Sequence, residues 1–392
     1  MRSLQPAKRE MTTQDIEKFR AEWRRFIEHA IRADFVKPVS VVNNGYLHTF
    51  NASFDGLFLR EQNSPSLLAA NQPMRFGTIQ PCIRTEDKLS LKHSSLHLGL
   101  FDICGFSVLD FSTVTAGDMA EDTIKEFLLF YCDYLKLEKK LLRIYYFGGS
   151  TLRSISSGKI DSDEYIEPDM FSVDIWRRHG LDGSQLISDS TSETFLLHLG
   201  NPLREHHSGY RNDIFIESQN ANYEIGTLNF ISHQTVIEDG AIIGIKPLAF
   251  YLREMAIGQE RFVAAQNGMT DLFELPYLRP LLNAVTIQIA DSKIARIYID
   301  ALRVIHYFFS DGWTYNKLQG KRYREHRNEL NRFMQLITRL GHERTEDDLT
   351  DVLILNAQLQ PWYPKLGTGI DATLSEIAAY KSRSVLTEKA HT

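Results

Sequence analysis

Two neighbouring stretches decide the fold: TIQPCIR at residues 78–84 and HLGLFDICGFS at residues 97–107. Around residues 82–84 and over residues 100–108 the chain is rich in apolar and β-branched side chains, which is typical of strands. A polar loop that contains residues 85–88 separates the two stretches. Strands on either side of such a loop predict an antiparallel hairpin.

Further strands and helices are predicted on both sides of this hairpin. Apolar residues at spacings of three and four indicate helices that begin near Thr13, cover residues 120–142, and cover residues 294–309 and 330–340. Strands are predicted at residues 143–147, 213–217 and 223–234.

Two connecting segments complete the predicted order of elements. Residues 150–168 are polar and predict a mobile loop, and residues 242–249 lead into a helix that ends near Gly268. We therefore expect an α+β fold, in which an antiparallel sheet flanked by helices occupies residues 1–280. A helical domain should follow over residues 281–392, with a frayed tail from Ser382 onward.

The composition is that of an ordinary globular protein. The chain has 392 residues, 43% of them hydrophobic, and its 44 Lys and Arg against 50 Asp and Glu give a net charge of −6. This mild acidity excludes a protein that coats nucleic acid with its whole surface. One stretch, residues 317–344, is locally basic, with eight Lys or Arg against three Glu. It is either a solvated helix face with internal ion pairs or a contact surface for an anionic partner.

Cysteine usage and hydropathy indicate a reducing compartment. Cys82, Cys104 and Cys132 are too few and too scattered for a disulfide framework, and we expect them to be small buried side chains. The sequence contains no secretory signal pattern and no run of 18 apolar residues. We expect a cytoplasmic protein that makes no membrane contact.

Common nucleotide and metal motifs are absent from the sequence. The segment Ser157-Gly158-Lys159 lacks the spacing of a phosphate-binding loop, and Gly148-Gly149 predicts only a turn. His93 and His97 are four residues apart but have no Glu or Cys at ligand spacing, so no metal site is predicted from them.

A series of short segments, in a fixed order, carries the functional signal. These segments are residues 49–54, 78–84, 97–107, 213–217, 223–230 and 257–261. Their order resembles the catalytic domain of alanyl-tRNA synthetase, a class II aminoacyl-tRNA synthetase, from about residue 15 to about residue 340. Gln80-x-Cys82-Ile83-Arg84 and Gly258-x-Glu260-Arg261 are the most specific parts of the resemblance.

The resemblance implies a ligase that uses ATP and Mg²⁺. In the family's reaction an amino-acid carboxylate attacks the α-phosphate of ATP, and the developing charge needs fixed cations. Arg84 matches the arginine that holds the carboxylate and the α-phosphate, and Arg261 matches the arginine on the γ-phosphate side. Phe101 would stack on adenine and Asp102 would lie at the adenine and metal edge, and Gly258 and Glu260 complete the ATP-binding set. The alternative is that both arginines form surface ion pairs and that Phe101 is a core residue.

The amino-acid end of the predicted site departs from the family. Glu254 aligns with the aspartate that binds the substrate amine, and it retains the charge. Thr227 and Asn229 lie at positions where the family has pocket residues of different shape and polarity, and Leu196 lies near the position of a pocket tryptophan. We therefore expect an amino acid as substrate, recognised through its amine, and alanine itself is in doubt.

The acceptor of the activated amino acid has three candidates: a carrier protein, a small molecule or tRNA. We expect no counterpart of the family's editing domain and only a short helical part, which favours an acceptor other than tRNA. Lys321, Arg322, Arg324 and Arg327 of the basic stretch are the predicted contacts for tRNA or an acidic carrier. A homodimer is compatible with the resemblance. The competing hypothesis is a catalytically silent paralogue that binds tRNA, nucleotide or amino acid and regulates a partner.

Overall fold

A computed structural model gives the arrangement of most of the chain. It describes residues 11–43, 46–47, 73–84, 95–111, 115–155, 160–199, 207–217, 222–341 and 344–389. The segment at residues 49–54, the loop at residues 85–88 and His93, all discussed above, lie outside the described residues.

The described strands and helices alternate in groups along the chain. The strands are β1 (Asp34–Phe35), β2 (Val42–Asn43), β3 (Tyr46–Leu47), β4 (Met74–Ile83), β5 (Leu100–Asp110), β6 (Leu142–Phe147), β7 (Ser150–Thr151), β8 (Tyr165–Ile166), β9 (Leu186–Asp189), β10 (Phe195–Leu199), β11 (His207–Glu217), β12 (Asn222–Glu238) and β13 (Ala241–Gly258). The helices are α1 (Thr13–Arg25), α2 (Ala116–Leu128), α3 (Leu152–Ile155), α4 (Met170–Arg178), α5 (Gln259–Asn267), α6 (Arg279–Thr286), α7 (Ser292–Ser310), α8 (Arg324–Leu340), α9 (Glu346–Leu359), α10 (Lys365–Thr368) and α11 (Ile370–Lys389).

Short turns extend or connect several of these elements. α1 and α2 each continue into one wide π-type turn, at Phe26–Ile31 and Leu129–Tyr134. Single 3-10 turns occur at Lys139–Leu141, Gly183–Gln185, Leu272–Glu274 and Lys321–Tyr323.

Nine of the described strands form one large sheet. Its order is β1-β4-β5-β13-β12-β11-β6-β9, with β10 also paired to β11. The pairs β1–β4 and β6–β9 are parallel, and the other pairs are antiparallel. β4 and β5 form the predicted antiparallel pair, with Ile83 opposite Leu100. The prediction of an α+β fold built on an antiparallel sheet is therefore confirmed.

One face of the sheet packs against helices. Cys104, Phe106 and Val108 alternate along β5, and they belong to the same core cluster as Trp23 of α1 and Phe127 of α2. Alternation places residues 101, 103 and 105 of β5 on the opposite face. Helix α1 begins at a capping box in which the Thr12 backbone N–H donates to the Asp15 carboxylate over 2.8 Å. Helices α1 and α2 therefore pack on the face of β5 that carries residues 104, 106 and 108.

The C-terminal helices share a continuous core with the sheet. α7 begins at Asp291, whose side chain accepts hydrogen bonds from two backbone N–H groups of the first turn. Fourteen of its nineteen residues are buried. A single apolar cluster extends from Ile16 to Ile377, so the helical region and the sheet are packed as one body.

Three segments differ from the sequence prediction. Residues 150–168 contain α3 and the small antiparallel pair β7–β8, and Arg153 donates to Asp163 over 2.8 Å within this segment. Residues 250–258 continue β13 as a strand instead of forming a helix, because residues 252–257 pair on both sides, with β5 and β12. α11 continues past Ser382 to Lys389. Among the described helices, we find none long and apolar enough to cross a membrane.

Candidate active site

A row of polar side chains crosses four strands on the sheet face opposite the helices. Asn229 of β12 lies opposite Arg211 of β11 on one side and Glu254 of β13 on the other, and Glu254 lies opposite Ser107 of β5. Directly opposed residues of antiparallel strands share a face. This face therefore presents a cation, an amide, a carboxylate and a hydroxyl in one line.

A cavity of about 220 Å³ opens beside this row, where β5 begins and β13 ends. Seven residues predicted from the sequence line it, and they come from four separate parts of the chain. These residues are Arg84, Phe101, Thr227, Asn229, Gly258, Glu260 and Arg261. The fold thus brings most of the predicted site residues to one place.

Arg84 and Phe101 form one wall of the cavity. The Arg84 backbone N–H donates to the Gly99 carbonyl over 3.0 Å, which continues the ladder between β4 and β5 by one step. The Arg84 guanidinium carbon lies 5.3 Å from the centre of the Phe101 ring, within cation–π range. The stacking holds a positive charge against an aromatic face.

Arg261 forms a second cationic wall in the first turn of α5. Its Nε donates to the Leu96 carbonyl over 3.0 Å, and its Nη1 donates to Glu224 Oε2 over 2.8 Å. Its side chain is 19% exposed. Two anchors therefore orient this guanidinium before an anionic ligand arrives.

Three charged residues of the cavity region were not identified from the sequence. Arg211 and Glu224 line the cavity, and Arg211 Nε donates to Asp213 over 2.5 Å. Arg211 Nη2 also lies 3.7 Å from Glu224 Oε1. The alternation Arg-x-Asp on a strand places both side chains on one face, and this was the available signal. The pairing of β11 with β12 then brings them to the cavity.

The carboxyl of Asp213 has a raised pKa. Burial raises its pKa to about 7, the positive charge of Arg211 opposes the rise, and the negative charge of Glu224 adds to it. A carboxyl with a pKa near 7 can change its charge at physiological pH.

Glu254 is fully buried behind Asn229. Asn229 Nδ2 donates to Glu254 Oε2 over 3.2 Å, and Ser107 Oγ donates to Glu254 Oε1 over 3.5 Å. Asn229 Oδ1 is buried and has no hydrogen-bond partner among the described residues. A buried acceptor without a partner is costly, so this oxygen suits a donor that a ligand would supply.

Gly226 lines the cavity at a point where no side chain fits. A Cβ atom at this position would lie 2.4 Å from the backbone carbonyl oxygen of Ala256 on the neighbouring strand. The chain bulges next to it, since the register between β11 and β12 shifts at Phe215 and Glu224. The close approach of β12 and β13 therefore excludes a side chain at this position.

Asp102 lies on the opposite face from the cavity, although the sequence placed it at the ATP site. It is 1% exposed, and its carboxylate accepts hydrogen bonds from Arg20 Nη1 over 2.5 Å, from Gln259 Nε2 over 3.4 Å and from the Tyr363 hydroxyl. Adjacent residues of a strand point to opposite faces, so Phe101 and Asp102 cannot both line the cavity.

Glu260 connects Asp102 to the cavity. Its carboxylate accepts the Asp102 backbone N–H over 3.0 Å and the Tyr277 hydroxyl over 2.9 Å. Burial, followed by the negative charge of Asp102, raises the pKa of Glu260.

The remaining predicted residues lie away from this cavity. Leu196 packs in a separate apolar cluster with Phe76, Leu109 and Leu252. Lys321 and Arg324 are exposed, and Arg322 belongs to the 3-10 turn Lys321–Tyr323. Arg327 Nη1 donates to the carbonyls of Leu318 and Gly320, the latter over 2.9 Å. Arg327 is therefore occupied within the protein.

The described part of the chain contains no group of three or more His, Cys, Asp or Glu side chains that would hold a metal ion by itself. Glu224 is the most accessible carboxylate on the cavity wall, with 34% of its side chain exposed. Mg²⁺ commonly uses one or two carboxylates together with substrate phosphates. A divalent ion at this wall would need phosphate oxygens in addition to this one carboxylate, which also accepts from Arg261 Nη1 over 2.8 Å.

Two synthetase chains are among the solved structures to which this chain is similar. One is the RNA-binding domain of threonyl-tRNA synthetase from Cryptosporidium parvum Iowa II, with 13% identity and a TM-score of 0.38 over 66% of this chain and 65% of that chain. The other is the putative threonyl-tRNA synthetase ThrRS-1 from Aeropyrum pernix, with 12% identity and a TM-score of 0.34 over 63% of this chain and 58% of that chain.

This chain covers less than two thirds of either of those two chains. No protein-family profile and no curated protein matches it. The roles of its residues therefore rest on its own sequence and geometry.

Proposed function

We propose that the protein activates an amino acid with ATP to give an aminoacyl adenylate, which it then transfers to an acceptor. One observation carries the proposal: Arg84 and Arg261, which match the two arginines of the synthetase motifs, line one cavity together with the Phe101 ring. If both arginines only formed surface ion pairs, they would have no reason to line the same cavity.

The cations suit an in-line displacement at the α-phosphate. The amino-acid carboxylate oxygen forms a bond to the α-phosphorus, the bond to the bridging oxygen breaks, and pyrophosphate leaves with the electron pair. Arg84 would bind the carboxylate and the α-phosphate through its planar fork. Arg261 would bind the γ-phosphate, and its anchors on Leu96 and Glu224 already fix its direction.

Mg²⁺, when bound with ATP, would neutralise charge on the leaving pyrophosphate. Glu224 would hold it together with the phosphate oxygens. The Phe101 ring offers a flat apolar surface for the adenine.

The amino-acid end is formed by Asn229, Thr227 and the buried Glu254. An α-ammonium would donate to Asn229 Oδ1, which lacks a partner among the described residues, and the Glu254 carboxyl lies directly behind the amide. This arrangement supports recognition of the amine, as proposed from the sequence. The acceptor is a carrier protein, a small molecule or tRNA.

Amino-acid-dependent exchange of pyrophosphate into ATP, measured with each of the twenty amino acids, tests the proposal. We expect exchange with at least one amino acid, and its loss in Arg84→Ala. Binding of MgATP is measured in parallel by calorimetry. Folded protein that binds MgATP but supports no exchange would favour the silent paralogue, and absence of MgATP binding would remove the proposed nucleotide site.

A further inference from the structure

Two hydrogen bonds from the C-terminal helical region bracket Phe101. Asp300 of α7 accepts the backbone N–H of Gly99 through Oδ2 over 2.7 Å. Tyr363, between α9 and α10, donates its hydroxyl to Asp102 Oδ1. Phe101 lies between these two attachment points, and its side chain faces the cavity. Asp300 and Tyr363 of the C-terminal helical region therefore hold the start of β5 in place.

The Asp102 carboxylate is the junction of this support. One oxygen accepts from Tyr363, and the other accepts from Arg20 and Gln259. The Asp102 backbone N–H donates to Glu260, at the level where β13 has ended and α5 has begun. Movement of Asp102 would therefore shift both Phe101 and the first turn of α5.

Aromatic contacts tie the same region to Glu260. The Arg20 guanidinium carbon lies 5.5 Å from the Trp362 ring centre and 5.7 Å from the Tyr363 ring centre. Trp362 packs edge-to-face on Tyr277 at 5.4 Å, and the Tyr277 hydroxyl donates to Glu260. Tyr363 therefore contacts Asp102 directly, and Trp362 contacts Tyr277, which binds Glu260.

We propose that Tyr363 is a positioning residue for the nucleotide end of the cavity. Its hydroxyl, acting through Asp102, holds the Phe101 ring and the Glu260-Arg261 turn at the spacing that ATP requires. This inference rests on the proposed adenylate-forming function. It makes the helical region a part of the nucleotide site, beyond any contact with an acceptor.

Tyr363→Phe is the direct test, because it keeps the ring and removes the hydroxyl. Tyr298→Phe is the matched control: Tyr298 is also buried in the helical region, but its hydroxyl has no hydrogen-bond partner among the described residues. The full-length variants are compared by pyrophosphate exchange, with separate KM values for ATP and for the amino acid, by MgATP calorimetry and by thermal unfolding.

We expect Tyr363→Phe to raise the KM for ATP and the Kd for MgATP about tenfold, while the KM for the amino acid changes less than twofold. Tyr298→Phe should leave all three constants unchanged. If Tyr363→Phe does not fold, Trp362→Phe takes its place. This variant keeps the Tyr363 hydroxyl but reduces the aromatic surface that packs against the Tyr363 ring. It should raise the KM for ATP about threefold.

Several outcomes would overturn the inference. An unchanged KM for ATP in active, folded Tyr363→Phe would do so and leave the proposed function intact. Equal rises in both KM values, or a lowered unfolding temperature with normal kinetics, would show a general structural role instead. A wild-type protein without exchange or MgATP binding would reject the proposed function itself, and the positioning role with it.

Discussion

Arg84 and Arg261 are the residues on which the proposed chemistry depends most. Each lines the cavity and is partly exposed, so replacement removes charge stabilisation without creating a core void. We expect Arg84→Ala and Arg261→Ala each to reduce adenylate formation by about 3 kcal/mol or more in transition-state stabilisation, which is over a hundredfold.

Pyrophosphate exchange measures this loss, and the unfolding midpoint establishes that the variants remain folded. Arg177→Ala, at an arginine whose side chain is 53% exposed, is the control and should retain full activity. Near-normal exchange by either folded cavity variant would remove that arginine from the proposed site.

Glu254 provides the second residue-scale prediction. Glu254→Gln keeps the shape and an acceptor for Asn229 Nδ2 but removes the negative charge behind the amide. The KM for the amino acid should rise at least about tenfold, since charge-assisted recognition of an ammonium is worth about 1.5 to 3 kcal/mol. The KM for ATP should change less than twofold.

The kinetic comparison includes Glu17→Gln, because Glu17 is exposed on α1 away from the cavity row. An unchanged KM for the amino acid in Glu254→Gln would place the amine elsewhere.

The sequence predicts which residues lie near this site better than it predicts the sheet face to which each side chain points. Motif order was enough to bring Arg84, Phe101 and Arg261 into one cavity. Motif order also predicted Asp102 at the ATP site, next to Phe101. Consecutive side chains of a strand point to opposite faces, so Asp102 lies on the helix side, where Arg20 and Tyr363 bind it. The Arg-x-Asp alternation predicts a shared face for Arg211 and Asp213, but their place at the cavity depends on the pairing of β11 with β12.

At the scale of elements, the strongest periodic segments were predicted well. α7, α8 and the strands β11 and β12 lie where apolar spacing placed them. The small pair β7–β8 was missed, because two-residue strands carry no period and depend on contacts such as that between Arg153 and Asp163. The second half of β13 was assigned to a helix because short apolar runs are ambiguous between the two structures.

α8 with its preceding turn provides an element-scale prediction about the acceptor. Lys321 and Arg324 are exposed, whereas Arg327 is held by backbone carbonyls. If tRNA is the acceptor, Lys321→Glu with Arg324→Glu should weaken tRNA binding and reduce the slope of log affinity against log salt by about two, one for each lost phosphate contact. Adenylate formation should be unaffected.

Filter binding at several salt concentrations measures the slope, and Lys293→Glu, at an exposed lysine of α7, is the control. A wild-type protein that forms adenylate but shows no salt-sensitive tRNA binding would exclude tRNA as acceptor. An acidic carrier protein is then tested on the same surface.

The whole molecule carries buried carboxyls whose acidity affects stability. Burial raises the pKa of Asp169 and of Asp213 to about 7, and it also raises that of Glu260. In the unfolded chain these groups titrate near 4. Between about pH 4 and pH 7 the folded state therefore binds more protons than the unfolded state, and the unfolding free energy falls as pH rises.

We expect the unfolding free energy to be lower at pH 8 than at pH 5.5 by about 2 kcal/mol or more. Urea unfolding at both pH values measures this difference. Asp213→Asn should reduce it, while Asp351→Asn, at an exposed position of α9, should not. Equal stability at both pH values would contradict the acidity assigned to these carboxyls.

The requirement for glycine at position 226 also limits how the cavity can evolve. The Ala256 carbonyl oxygen occupies the place that any larger residue would need, so a single substitution there would be unfavourable unless β13 first moved away. A broad side chain could return at this position only after a compensating change in the adjacent strand. The cavity wall should therefore diverge more readily at Thr227 or Asn229 than at Gly226.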